Sequence, residues 1–205
     1  MLTTLTDLEA HYGTPHERAL RKEIDYVNAD YRRFIESSPF VVLATGGPEG
    51  LDCSPRGDAP GFVRIVDERT LALPDRPGNN RVDSLRNVVA APQVGLLFMV
   101  PGVGEMLRVN GRARVSTEAD LLASFAVDGK PPRSVLVIDV ESVYFHCSKA
   151  IVRSKLWDAA AQVERKSLPS AGEMLRRVNA EHYGEAFDAE SYEANLPERI
   201  KATLY

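Results

Sequence analysis

The sequence predicts a mainly β fold, an antiparallel sheet or small barrel of about seven strands with helices at both ends. Between residues 39 and 147 the apolar residues alternate, or fall in short runs bounded by turn residues. Most of these runs follow one another through turns. A Rossmann-type sheet needs alternating βαβ units, and neither a glycine-rich dinucleotide fingerprint nor a Walker loop is present. Outside this central stretch the apolar spacing becomes helical.

A short helix is predicted over residues 5–12. Thr14, Pro15, His16 and Glu17 then read as an N-cap, a proline at the first helical position, and a glutamate at the third. Leu20, Ile24, Val27, Tyr31, Phe34 and Ile35 recur at helical spacing, so one amphipathic helix is predicted up to Ser38-Pro39. "FVVLATG" (40–46) is an apolar strand ending in a Gly-Gly-Pro turn, with "LDCSPR" (51–56) as its hairpin partner. "FVRIVD" (62–67) and "TLALPD" (70–75) flank a tight Glu68-Arg69 turn. A helix is predicted over 80–91, followed by a buried strand over 93–100. In "EMLRVNGRARVS" (105–116), Leu107, Val109, Gly111, Ala113 and Val115 share one face; Arg108, Asn110, Arg112 and Arg114 share the other. After a helix over 118–126, residues 133–147 form a long strand, bent near Glu141-Ser142. Ser170 and Glu173 make a capping box that opens a further helix.

The chain has 205 residues, 44% of them hydrophobic, which suits one domain: helices over 1–38, a barrel over 39–147, a helical extension over 148–205. A net charge of −4 disfavours a general nucleic-acid binder, so any anion site must be local. The start "MLTTLTDLEA" lacks a basic segment followed by an apolar run, so no secretory leader is expected. The longest apolar run, 94–103, is too short to span a bilayer, so no membrane partner is expected. Cys53 and Cys147 form no paired pattern, and a reducing cytoplasm fits best.

Positive charge concentrates at one strand-to-helix corner, "LPDRPGNNRVDSLRN" (73–87). Asn80 is predicted to cap the helix, with Arg81 and Asp83 in its first turn. Free first-turn N–H groups and the positive end of the helix dipole make such a corner an anion site, and Arg76, Arg81 and Ser84 add donors. The same residues also describe an ordinary capped helix with solvated arginines, and Asp83 competes for the same N–H groups. "SPRGD" (54–58) and "CSKAIVRSKLW" (147–157) are two further basic, hydroxyl-bearing corners. In the second, Lys149, Arg153 and Trp157 fall at four-residue steps, the spacing of one helix face.

These three stretches resemble the pyridoxamine 5′-phosphate oxidase superfamily, the FMN-binding split β-barrel, and within it a branch of probable FMN-dependent enzymes. The likeness spans roughly residues 30–160. It implies a six- to seven-stranded antiparallel split barrel, a homodimer, and two FMN sites at the subunit interface. By the same resemblance, Arg56, Gly57 and Asp58 lie beside the flavin and Pro74, Asp75 and Arg76 contact it. Asn79, Asn80, Arg81 and Ser84 then hold the phosphate, and Lys149, Arg153 and Ser154 reach FMN from the partner subunit. Lys149 or Arg153 is the cation that stabilises the reduced flavin. The arginine- and histidine-bearing substrate motif of the true pyridoxamine phosphate oxidases is not recognisable; "AIVRSKLW" stands there. The implied function is FMN-dependent oxidation or reduction of an unidentified small molecule, with NAD(P)H or oxygen as redox partner. The alternatives are an FMN- or tetrapyrrole-binding protein without turnover, and a scaffold acting through its dimer surface.

No residue stands out as a catalytic acid, base or nucleophile. Four histidines in no ligand spacing predict no metal site. Cys53 is expected to be a small core residue, and Tyr144 and Phe145 core aromatics. Arg108, Arg112 and Arg114 are expected on a solvated face.

Overall fold

The computed structural model describes all 205 residues. Its centre is one seven-stranded sheet in the order β2-β1-β5-β6-β7-β4-β3, with every pairing antiparallel. The strands are β1 (Phe40–Gly47), β2 (Gly50–Gly57), β3 (Arg64–Asp67), β4 (Thr70–Asp75), β5 (Gln93–Met99), β6 (Met106–Ser116) and β7 (Ser134–His146). The edge strands β2 and β3 do not pair with each other, so hydrogen bonding closes no barrel. No helix is long and apolar enough to cross a membrane.

The predicted alternation sets the core. On β6, Leu107, Val109 and Ala113 are buried while Arg112 and Arg114 face out. They meet Leu43 of β1, Leu96 and Phe98 of β5, and Leu136 and Ile138 of β7 in one apolar cluster. Ile35 of helix α3 (Ala29–Ser37) and Val88 of helix α4 (Asp83–Ala90) join it from the helical side. Fully burying one such side chain contributes about 1.5–3 kcal/mol. The bend predicted in the last strand is a β-bulge. Asn110 pairs with Ser142 and Gly111 with Val140, which leaves Glu141 without a partner on β6. At Gly111 a Cβ would sit 2.2 Å from the Asp139 carbonyl oxygen, so the two backbones approach as only glycine permits.

The amino-terminal region corrects the sequence reading. Helix α1 (Leu5–Tyr12) lies where expected, but the single helix predicted up to residue 38 is two: α2 (Glu17–Arg21) and α3. Between them Ile24 bridges to Val143, its N–H donating over 3.1 Å and its carbonyl accepting over 2.7 Å. Strand backbone past the bulge is thereby satisfied by a residue that spacing alone had placed in a helix. A new N-cap follows, where Asn28 Oδ1 accepts from the Tyr31 N–H at 2.8 Å. His16, not Thr14, is the residue before α2, and it makes no capping bond.

Helices α5 (Ala119–Ser124), α6 (Lys149–Ser154), α7 (Ala171–Val178) and α8 (Ala189–Thr203) follow. The Ser170–Glu173 capping box opens α7 as predicted. Helix α6 stops at Lys155, which is left-handed (φ 52°), so Trp157 does not extend its face. The indole donates to the Val103 carbonyl at 2.8 Å instead. Cys53 is exposed rather than in the core, because β2 is an edge strand. Phe145 is exposed too, with Lys22 Nζ 4.8 Å from its ring centre.

Candidate functional site

A cavity of about 620 Å³ opens where the ends of β2 and β4, the loop 76–82, the first turn of α4 and the start of β7 converge. The β1–β2 hairpin and the β4–β7 pairing bring these stretches together, although they lie as far as eighty residues apart in sequence. Arg56, Gly57, Pro74, Asp75, Arg76, Asn79, Asn80, Arg81 and Ser84, all named from the sequence, line it.

Its floor is a continuous polar network. Alternation along β2 turns Asp52, Ser54 and Arg56 to one side. Arg56 Nη1 bonds Asp75 Oδ1 at 2.5 Å, the two side chains being 19% and 15% exposed. Arg56 Nη2 donates to Ser84 Oγ at 3.2 Å, and its Nε to Ser54 Oγ at 3.3 Å. Ser84, buried in the first turn of α4, in turn donates to Asp52. A hydroxyl has one proton, so the 2.9 Å contact between Ser54 and Ser84 is donated by Ser54. All five side chains are held by one another, which preorganises the wall.

A second ion pair stands behind it. Arg76 Nε meets Asp58 Oδ2 at 2.9 Å, and Asp58 Oδ1 accepts from the Tyr205 hydroxyl at 2.7 Å. Burial is the largest influence on the Asp58 carboxyl and pushes its pKa up. The bonds from Tyr205, the Ala59 N–H and Arg76 together outweigh it, and the pKa lies below the usual value. The stability this contributes is present above the ordinary aspartate pKa and is lost as pH falls through the lowered one. Arg76 also donates to the Phe125 carbonyl at 2.9 Å, so its guanidinium is already engaged by protein acceptors.

The helix start differs from the prediction. Asn80 does not cap α4; it is left-handed (φ 61°) and its Oδ1 accepts from Arg133 Nη1 at 2.8 Å. Val82 precedes the helix, also left-handed (φ 53°), and offers no capping side chain. Positive φ is costly for a β-branched residue, and with Val82 in the cap position the helix starts two positions later than Asn80 would set. The consequence is a first turn that no side chain caps, lining the cavity beside Arg81. Arg81 pairs with Asp83 at 2.8 Å, and their side chains are 75% and 43% exposed. Solvent screening makes an exposed pair of this kind weak, so Arg81 is free to exchange Asp83 for a ligand anion.

Lys149, Arg153 and Ser154 are not brought to this cavity within one chain. They follow the far end of β7, whose first residue lines the cavity and whose twelve steps span on the order of 40 Å. Lys149 and Arg153 are exposed, and Ser154 Oγ donates to the Ile151 carbonyl at 3.1 Å. Asp52, Ser54, Arg133 and Ser134 were missed by sequence reasoning. The period-two spacing of Asp52 and Ser54 with Arg56 carries a legible signal; Arg133 and Ser134 carry none, because only the β4–β7 register brings them here.

Arg112 and Arg114 are exposed as expected, with Arg114 bonded to Asp139 at 2.7 Å, but Arg108 is half-buried and bonds the Tyr144 hydroxyl at 2.8 Å. His146 Nε2 is buried without a partner; burial, then Arg108 and Lys22, lower its pKa.

A family model described as pyridoxamine 5′-phosphate oxidase matches residues 27–147. No curated protein matches the chain. Among solved structures, Group A Streptococcus HupZ is similar at 18% identity and a TM-score of 0.45, over 57% of this chain and 91% of its own. A Clostridium acetobutylicum protein related to general stress protein 26 is similar at 16% identity and a TM-score of 0.44, over 58% of this chain and 86% of its own. A nimc/nima family protein of the same organism is similar at 14% identity and a TM-score of 0.41, over the same shares.

Proposed function

The chain belongs to the pyridoxamine 5′-phosphate oxidase family, and from that premise we propose that it is a homodimeric, split-barrel, FMN-dependent oxidoreductase acting on a small organic substrate. The observation that carries the reading is the cavity at the uncapped start of α4, with Arg81 held there only by an exposed pair. First-turn amides and a guanidinium free to exchange partners suit a phosphomonoester. The flavin itself carries the redox step, and the protein supplies binding, orientation and electrostatics. Arg81, Asn79 and the first turn of α4 hold the phosphate. The Arg56–Asp75–Ser84 floor keeps the wall beside the flavin rigid. Lys149 and Arg153 of a second subunit supply positive charge near the ring, because neither reaches the cavity of its own chain.

The purified protein is expected to be yellow and to release FMN, identified by mass spectrometry; FAD as the sole flavin refutes the reading. Bleaching by NAD(P)H and reoxidation by a substrate panel separate an enzyme from a carrier without turnover. Arg81→Ala is expected to weaken FMN at least tenfold, since a charge-assisted phosphate contact contributes about 1.5–3 kcal/mol. Arg114→Ala is the control, because that side chain pairs with Asp139 on an exposed face. Equal flavin retention in the two variants counts against the corner.

Subunit mixing tests the shared site. Chains carrying Lys149→Ala and Arg153→Ala are mixed with Arg81→Ala chains. In a heterodimer one site collects every lesion and the other none, so tight FMN binding should recover to one site per dimer. A monomer by sedimentation, or no recovery despite proven exchange, means that each site is built within one chain.

A further inference from the structure

Four arginines line the cavity or its rim, and three of them already face a carboxylate: Arg56 with Asp75, Arg76 with Asp58, Arg81 with Asp83. Arg133 is the exception. Its guanidinium has only the neutral Asn80 side chain, at 2.8 Å, and its backbone N–H is held by the Asp75 carbonyl at 3.1 Å. Next to it, Ser134 is 5% exposed, lines the same cavity, and its Oγ has no hydrogen-bond partner. Ser134 stands directly across the ladder from Asp75, whose carboxylate is occupied by Arg56. A buried hydroxyl left without a partner costs stability, and such groups in folded proteins nearly always have one. Here the missing partner and the unneutralised charge adjoin each other and face one cavity.

We infer that Arg133 and Ser134 complete the anion-recognition corner at the start of α4, and that the group they receive there is a phosphomonoester. Arg133 supplies the positive charge that Arg76 cannot, and Ser134 donates to an oxygen of the same ligand. The Asn80 bond then has a purpose: it parks the guanidinium at the cavity mouth, beside the first turn of α4, until an anion replaces the neutral carbonyl. Assignment of the phosphomonoester to FMN rests on the function proposed above; the corner itself does not.

The test compares FMN with riboflavin, which lacks the phosphate, by flavin fluorescence quenching on the full-length protein. The wild type is expected to prefer FMN at least tenfold. Arg133→Met should remove most of that preference with riboflavin binding unchanged, and Arg133→Lys should restore part of it. Ser134→Ala should weaken FMN while the melting temperature of the flavin-free protein stays level or rises, since an orphan hydroxyl is removed. Equal losses for FMN and riboflavin in Arg133→Met, or a Ser134→Ala protein that melts earlier and binds FMN normally, overturn the inference. If the wild type binds no flavin, the functional reading fails, and inorganic phosphate decides the corner alone. Thermal stabilisation by phosphate that is lost in Arg133→Met supports it; no stabilisation of the wild type overturns it.

Discussion

Arg56→Ala is expected to cost about 2–3 kcal/mol of stability in the flavin-free protein and to abolish FMN retention. Arg56 is the hub of the cavity floor, bonded to Asp75, Ser84 and Ser54. Its removal leaves the Asp75 carboxylate, 15% exposed, without its counter-charge. Breaking a fully buried pair from one side costs about 3–5 kcal/mol, and the residual exposure here brings the effect down to about 2–3 kcal/mol. Urea unfolding of the apo protein reads the loss. The companion double variant Arg56→Met/Asp75→Leu removes both charges together and should be less destabilised than the sum of the single changes. A loss below about 0.5 kcal/mol for Arg56→Ala, typical of an exposed pair, would show that the network is not a structural floor.

Gly111→Ala is expected to destabilise by about 3 kcal/mol, the upper end of what overpacking costs. The added Cβ would meet the Asp139 carbonyl oxygen at 2.2 Å, and a backbone atom cannot rotate away as a side chain can. Strands β6 and β7 must separate just where the bulge passes Glu141. Gly95→Ala, on the neighbouring strand, is the control: its nearest outside atom is Asn110 Oδ1 at 3.5 Å, an ordinary contact. Denaturation midpoints should fall sharply for the first and stay near wild type for the second. Matching midpoints would mean that the close approach at Gly111 relaxes freely.

The strands were legible because each carries its own evidence of alternation and ends in turn residues. Leu107, Val109 and Ala113 specify the inner face of β6 without reference to anything distant. The break at Ile24 was not legible: Leu20, Ile24 and Val27 have helical spacing, and the competing partner, Val143, lies more than a hundred residues away. The α4 start failed for a related reason. Asn80 has the right chemistry for a cap, but its side chain is taken by Arg133, and Val82 adopts a conformation its type disfavours. The candidate site was readable wherever one stretch supplied several of its residues, as in 73–87. It was unreadable at Arg133 and Ser134, which strand register alone delivers.

The position of β2 at the rim of the sheet limits how copies of this protein can assemble. A bare rim is a template for strand addition, the route by which sheets run on from one molecule into the next. Here the rim strand carries Pro55, which has no N–H to donate, and charged Asp52 and Arg56 alternate along it. An added strand would therefore find its run of donors interrupted. Growth of the sheet through β2 is thereby disfavoured by the strand's own sequence.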